Sequence, residues 1–130
     1  MDLTYFLKQN AVPMEKIEYV VSDRFLDKDK KPIKWVIAPI NARYDEELKR
    51  QCMTATDIDL NKYAILLAAA CTVYPDLNDA KLQDSYSAMN STELLLSMLL
   101  PGELISYVNK IKGLCGYDKT NEDLKREAKN

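Results

Sequence analysis

The hydrophobic pattern is densest between Leu60 and Leu77, L-N-K-Y-A-I-L-L-A-A-A-C-T-V-Y-P-D-L. From Tyr63 to Tyr74 this stretch carries no charge, and Thr72 is its only polar side chain besides the tyrosines. Leu60, Ala64, Leu67, Cys71 and Tyr74 recur at helical spacing, and Ile65, Ala68, Ala69 and Val73 cover most of the remaining circumference. A helix apolar all round is a buried one. The run is too short and too rich in alanine to span a membrane, which takes about 20 strongly apolar residues. Pro75 disfavours helical backbone at Tyr74 and so closes the helix there. The pattern therefore predicts a buried central helix over about 60–74.

Upstream the period changes. Residues 17–25 and 33–38 alternate, with Ile17, Tyr19 and Val21 on one face of the first run and Ile33, Trp35 and Ile37 on one face of the second. The charged turn L-D-K-D-K-K-P between them predicts a β-hairpin. A lone hairpin is marginal in water, so its apolar face has to pack on helices, with Trp35 as anchor. The loop lysines read as a solvated tip rather than a phosphate site. Before the hairpin, Leu3, Phe6 and Leu7 suggest a short terminal helix that needs docking to persist. After it, Asn41 can cap a helix to about Met53, with Tyr44, Leu48 and Cys52 as its apolar stripe. Asp45–Lys49 and Glu46–Arg50 are acid-first i,i+4 pairs, which places them on a solvated face. Asp57 or Asp59 caps the central helix.

Downstream the start signals repeat. Asn78 and Asn90 are candidate caps, the latter with Glu93 at capping-box spacing. Pro101 fits the first turn of a last helix carrying Leu104, Val108, Ile111 and Cys115, closed by Gly113 or Gly116. The predicted fold class is α+β, mainly helical: one hairpin packed on five to six helices around the central one. A single domain over 1–116 would be followed by a polar tail over 117–130, read as frayed or flexible because Leu124 is its only sizeable apolar residue after Tyr117.

Composition removes function classes rather than adding one. With no histidine, the chain lacks the commonest general base and metal ligand. Cys52, Cys71 and Cys115 have no zinc spacing and read as free, mostly buried thiols. A net charge of −2 leaves no basic footprint for nucleic acid. No secretory signal is present, so a cytoplasmic protein is expected. No phosphate-cradling glycine loop, G-x-S-x-G or H-E-x-x-H occurs, so no cofactor, metal or catalytic residue is expected. Binding remains. The run L-L-L-S-M-L-L at 94–100 is more apolar than one buried face requires, and Leu95, Leu96, Leu99 and Leu100 are the candidate partner-binding residues. Burial of both faces of the run, one on the central helix and one on the hairpin or the last helix, is the simpler account of it.

The order of these pieces resembles one known family. E-Y-V-V-S-D-R-F at 18–25 is followed by P-I-K-W at 32–35, N-K-Y at 61–63 and A-A-A-C-T-V-Y-P-D-L at 68–77. D-A-K-L-Q-D-S-Y at 79–86 and M-L-L-P-G-E at 98–103 complete the series. It is similar to the XkdN-like phage tail assembly chaperones, over residues from about 3 to 116. The link from Met53 to Asp59 is more compact than in many relatives. The resemblance implies a non-enzymatic factor, acting in the bacterial host cytoplasm and absent from the mature virion. Its implied partners are the tape measure protein, which it would keep soluble, and tail tube subunits. Homo-oligomers are compatible with it, and the family often has a second, longer frameshifted form. A structural adaptor or baseplate or tail-completion protein kept in the particle, and a small enzyme or regulator outside phage biology, stay open at this point.

Overall fold

The computed structural model describes residues 2–117. Its regular elements are β1 (Ile17–Tyr19), β2 (Trp35–Ile37), α1 (Ala42–Gln51), α2 (Leu60–Cys71), β3 (Thr72–Tyr74), α3 (Ala80–Ser85), α4 (Ser91–Met98) and α5 (Pro101–Leu114). Two 3-10 turns, Thr4–Phe6 and Lys8–Asn10, precede them. The fold class is α+β and mainly helical, as the sequence pattern implies.

The central helix is α2. It packs against α1, α4 and α5, with Leu67, Ala68 and Cys71 fully buried. Asp59 is its cap, accepting from the Lys62 N–H at 3.1 Å. Its first turn is less enclosed than an all-apolar pattern suggests, since Leu60 is exposed. Its end is also corrected. The helix stops at Cys71 rather than near Tyr74, and Thr72–Tyr74 is a strand. Two β-branched residues and an aromatic before a proline fit an extended strand better than a helical turn. The Thr72 hydroxyl donates to the Ala68 carbonyl at 2.7 Å, satisfying one of the last acceptors of the helix. That hydroxyl has a single proton, so the Tyr107 hydroxyl is the donor in the 2.6 Å contact between Tyr107 and Thr72.

β3 turns the hairpin into a three-stranded antiparallel sheet in the order β1-β2-β3. Ile17 pairs with Ile37 and Tyr19 with Trp35; on the other side Val36 pairs with Tyr74 and Ile37 with Thr72. The strands at 17–25 and 33–38 shorten to three residues each. Beyond Tyr19 the first run leaves the ladder through a turn at Asp23–Arg24, and pairing resumes only as a Leu26–Pro32 bridge. The interruption lets Val21 and Ser22 both reach buried positions, which strict alternation forbids.

Trp35 is the anchor expected of it, 1% exposed and edge-on to the Tyr107 ring at 5.4 Å. Tyr107, on α5, was not in the predicted stripe, yet it is wholly buried with Val108 and Ile111. Asn41, Asp59 and Asn90 cap the helices they precede, whereas α3 is capped by Asp79 rather than Asn78. The terminal segment is not a docked helix. Its two 3-10 turns bury nothing. All three cysteines are free thiols, with Cys52 and Cys71 buried. The tail positions 118–130 lie outside the described residues.

Candidate functional site

The sequence singled out four leucines at the end of α4, and the structure separates them. α4 starts where Asn90 accepts the Glu93 N–H at 2.9 Å while the Glu93 carboxylate accepts the Met89 N–H at 2.7 Å. This fixes the helix rotation. Leu94, Leu95 and Met98 then face the core. Leu95 is fully buried and Leu99 nearly so, while Leu96 (47% exposed) and Leu100 (53%) remain at the surface. The extra apolar width of the run is thus divided: two of the four residues complete the core and two stay in water. Ile105, in the first turns of α5, is also exposed, and Met89 is exposed at the opposite end of α4.

The corner between α4 and α5 is locked. Leu99 and Leu100 are extended, and the Leu100 N–H donates to Glu103 Oε1 at 2.8 Å. Arg24, from the turn after β1, donates to the Met98 carbonyl at the end of α4 and to Glu103 Oε1 at 3.3 Å. Hydrogen bonds from Ser22 and the Leu100 N–H, then Arg24, hold the Glu103 carboxyl below its ordinary value. Leu96 and Leu100 therefore sit on a corner fixed by three parts of the chain.

A second cluster corrects the sequence reading. Asp45 was assigned to a solvated face, but it is 8% exposed and forms part of a polar knot. Lys49 Nζ lies 2.9 Å from Asp45 Oδ2, the Tyr117 hydroxyl donates to the same oxygen at 2.5 Å, and the Tyr63 hydroxyl donates to Asp45 Oδ1. The two tyrosine oxygens lie 2.9 Å apart. Each hydroxyl has one proton, so with both directed at the carboxylate that contact is no third hydrogen bond. The ammonium of Lys49 also lies over the Tyr63 and Tyr117 rings, 5.6 and 5.5 Å from their centroids.

Burial alone would raise Asp45, but donors from Tyr117, Tyr63 and Lys49 outweigh it and hold the carboxyl below the usual range. The hydrogen bond to Asp45 raises Lys49. Burial, reinforced by Asp45, pushes the Tyr63 hydroxyl far up. The other predicted pair is replaced, Arg50 meeting Glu47 at 3.2 Å instead of Glu46. Sequence spacing carried the Asp45–Lys49 contact but not the two tyrosines, which lie 18 and 72 residues away.

Tyr117 reaches the knot because α5 ends in a left-handed turn. Gly116 has φ +86°, the Gly116 N–H donates to the Gly113 carbonyl at 3.1 Å, and the Tyr117 N–H to the Lys112 carbonyl at 2.9 Å. This is the Schellman arrangement. A Cβ at Gly116 would meet nothing within 4 Å, so the Gly116→Ala variant should lose only backbone strain energy, about 1 kcal/mol, in urea denaturation. A cleft of about 350 Å³ lies beside the knot, lined in part by Asn41, Glu46 and Cys115. The four polar groups are engaged with one another, so the knot fastens the end of α5 to α1 and α2. It offers no free nucleophile or base to that cleft. Among the described residues no group of three or more potential ligands could hold a metal ion, and no helix is long and apolar enough to cross a membrane.

Nearly the whole chain matches one protein family. Residues 3–129 fit the model of the phage XkdN-like tail assembly chaperone protein. The chain belongs to this family. It is 28% identical to the phage-like element PBSX protein XkdN of Bacillus subtilis (strain 168), over 99% of this chain and 94% of that one. It is 26% identical to the uncharacterized protein YqbN of the same strain, over 99% and 93%. The crystal structure of YqbN shares the fold, with a TM-score of 0.80 at 26% identity, over 91% of this chain and 98% of that one.

The stretches that carry the XkdN-like resemblance prove to be the joints of the fold. Y-P-D-L and L-Q-x-S-Y meet where Gln83 Nε2 donates to the Leu77 carbonyl at 2.8 Å. S-D-R-F and L-x-P-G-E meet through Arg24 and Glu103. Membership in this chaperone family points to an assembly role rather than to catalysis.

Proposed function

We propose that this chain binds the tape measure protein of its phage or prophage tail, keeps it soluble during assembly and helps bring tail tube subunits to it. It does so in the host cytoplasm and is left out of the mature virion. The observation that carries this reading is the pair Leu96 and Leu100, held outward on a corner locked by Arg24 and Glu103 in a chain of the tail assembly chaperone family. Exposed apolar side chains on a rigid helical corner suit the apolar stripe of a partner helix, with anchors at helical spacing. Leu95 and Leu99 support that surface from beneath rather than contacting the partner.

The test is co-expression of the tape measure protein with the L96S/L100S variant. The variant should keep its circular dichroism and melting temperature, while the soluble fraction of the tape measure protein and its recovery in a pull-down fall. Unchanged recovery with a folded variant would refute the assignment of this surface. Mass spectrometry of purified particles separates the chaperone reading from that of a structural adaptor, which would remain in the particle.

A further inference from the structure

Two thiols have no part in the corner or the knot. Cys71 is the last residue of α2, and Cys115 caps α5, 44 residues further on. Their sulfurs lie 3.8 Å apart. Both main chains are pinned. The Cys71 carbonyl accepts from the Ala38 N–H at 2.9 Å, and the Cys115 N–H donates to the Ile111 carbonyl at 2.9 Å. The two side chains therefore meet from fixed backbones where the ends of α2 and α5 pack together. A disulfide holds its sulfurs about 2 Å apart, so bonding asks for a closure of roughly 2 Å, within reach of side-chain torsions.

Access separates the two. Cys71 is wholly buried, whereas Cys115 is half-buried and lines the cleft of about 350 Å³ beside Asp45 and Lys49. The polar knot offers that cleft no nucleophile, but Cys115 does. Burial, with Cys115 beside it, pushes the Cys71 thiol up, so Cys71 keeps its proton and can donate it to the Cys115 sulfur. Two sulfurs are also half of a zinc site, yet among the described residues no third ligand joins them. Cys52, the remaining thiol, is buried and takes no part in this contact.

We infer that Cys71 and Cys115 form a redox site: a small peroxide entering the cleft is reduced at Cys115, and the pair closes into an intrachain disulfide that staples the end of α5 to the end of α2. Access fixes the roles. The Cys115 sulfur attacks one peroxide oxygen; an S–O bond forms, the O–O bond breaks, and the other oxygen leaves as water with the thiol proton. The Cys71 sulfur then attacks the sulfur of this sulfenic acid. The S–S bond forms, the S–O bond breaks, and a second water carries off the Cys71 proton. Two thiols are oxidised, and one hydrogen peroxide is reduced to two waters. A dithiol reductant reopens the bond by exchange, so the site can cycle. The staple secures covalently a joint that the Asp45 knot holds by hydrogen bonds and charge. The inference uses neither Leu96 nor Leu100 and stands apart from the tape measure reading.

The test exposes the folded full chain to hydrogen peroxide at a dose that fully oxidises free cysteine. Remaining thiols are then alkylated in urea, and the peptides are mapped by mass spectrometry. The expected product is one Cys71–Cys115 disulfide, with Cys52 alkylated. Peroxide added in urea should lose this selectivity, because loop closure there favours the shorter Cys52–Cys71 span. The oxidised chain should melt at least about 5 °C above the reduced one, and dithiothreitol should reverse the gain. In a folded C71A variant, dimedone should trap a sulfenic acid on Cys115 that the wild type passes on to Cys71. Three surviving thiols in the wild type overturn the inference. So does a bond to Cys52 in the folded chain, or a Cys115–Cys115 link between chains. An oxidised chain that melts no higher overturns the staple, and a folded C71A that traps no dimedone overturns the order of attack. The wild-type map decides the pairing even if C71A fails to fold.

Discussion

The D45A variant is expected to lose about 2–3 kcal/mol of stability at neutral pH, although Asp45 lies on a helix face that spacing alone marks as solvated. The carboxylate accepts from Tyr63 and Tyr117 and meets Lys49 at 2.9 Å. Without it, the two hydroxyls, 2.9 Å apart, can satisfy one another only in part, because one proton is left without an acceptor. Lys49 is 39% exposed at its side chain and returns to water at little cost. The value therefore falls below that of a fully buried broken ion pair. D45N should lose about 1–2 kcal/mol: its amide oxygen accepts one tyrosine, but its NH2 faces the other donor. Urea denaturation at neutral pH measures both.

Acid should report the same contact. The folded carboxyl titrates below its ordinary 3.8, so the unfolded chain takes up the proton first as pH falls. The stabilisation is complete above the unfolded value and is lost as pH drops through the folded one. D45N should accordingly flatten the acid limb of the stability curve below about pH 4 relative to wild type. Lys49 and Tyr63 are both raised, so each favours its protonated form in the folded chain. Stability from them is present below the unfolded values and declines on the alkaline side. Equal acid limbs for wild type and D45N would show that the knot is not a net stabiliser.

What was legible in the chain follows from the range of each interaction. Caps are local, and Asn41, Asp59 and Asn90 could be assigned from a few neighbours. Trp35 could be named as anchor because a single large ring in an alternating run has nowhere else to go. The central helix was visible from its lack of charge. Its last three residues were not, because T-V-Y reads as either state until β2 is there to pair with it. Asp45 was misplaced for the same reason: an acid four residues before a lysine describes a solvated pair unless two tyrosines arrive from α2 and from beyond α5. Nothing in the spacing of Tyr63 and Tyr117 announces that meeting. The Gly116 turn that directs Tyr117 back was at least marked as a helix end.

Leu95 and Leu96 stand side by side in the sequence and should respond in opposite ways. L95A removes a fully buried side chain from the face that α4 turns to the core, with Leu94 and Met98 beside it. Loss of its transfer energy and the remaining cavity should cost about 3–4 kcal/mol, within the usual range for leucine truncation in a tight core. For a chain of this size that is a large fraction of total stability and lowers the melting temperature by roughly 10 °C or more. L96A, on the outer face, should stay within about 0.5 kcal/mol. In the co-expression assay the pair separates two causes that a single variant confounds. L95A should reduce recovery of the tape measure protein only in proportion to the chaperone it unfolds, and cooling should restore it. The loss from L96S/L100S should persist on cooling, because the chain is already folded. If a folded L95A were as defective as the outer variant, the partner would reach the core face of α4, which requires the α4–α5 corner to open. Arg24 would then be the residue to remove next, since its bonds to Met98 and Glu103 hold that corner shut.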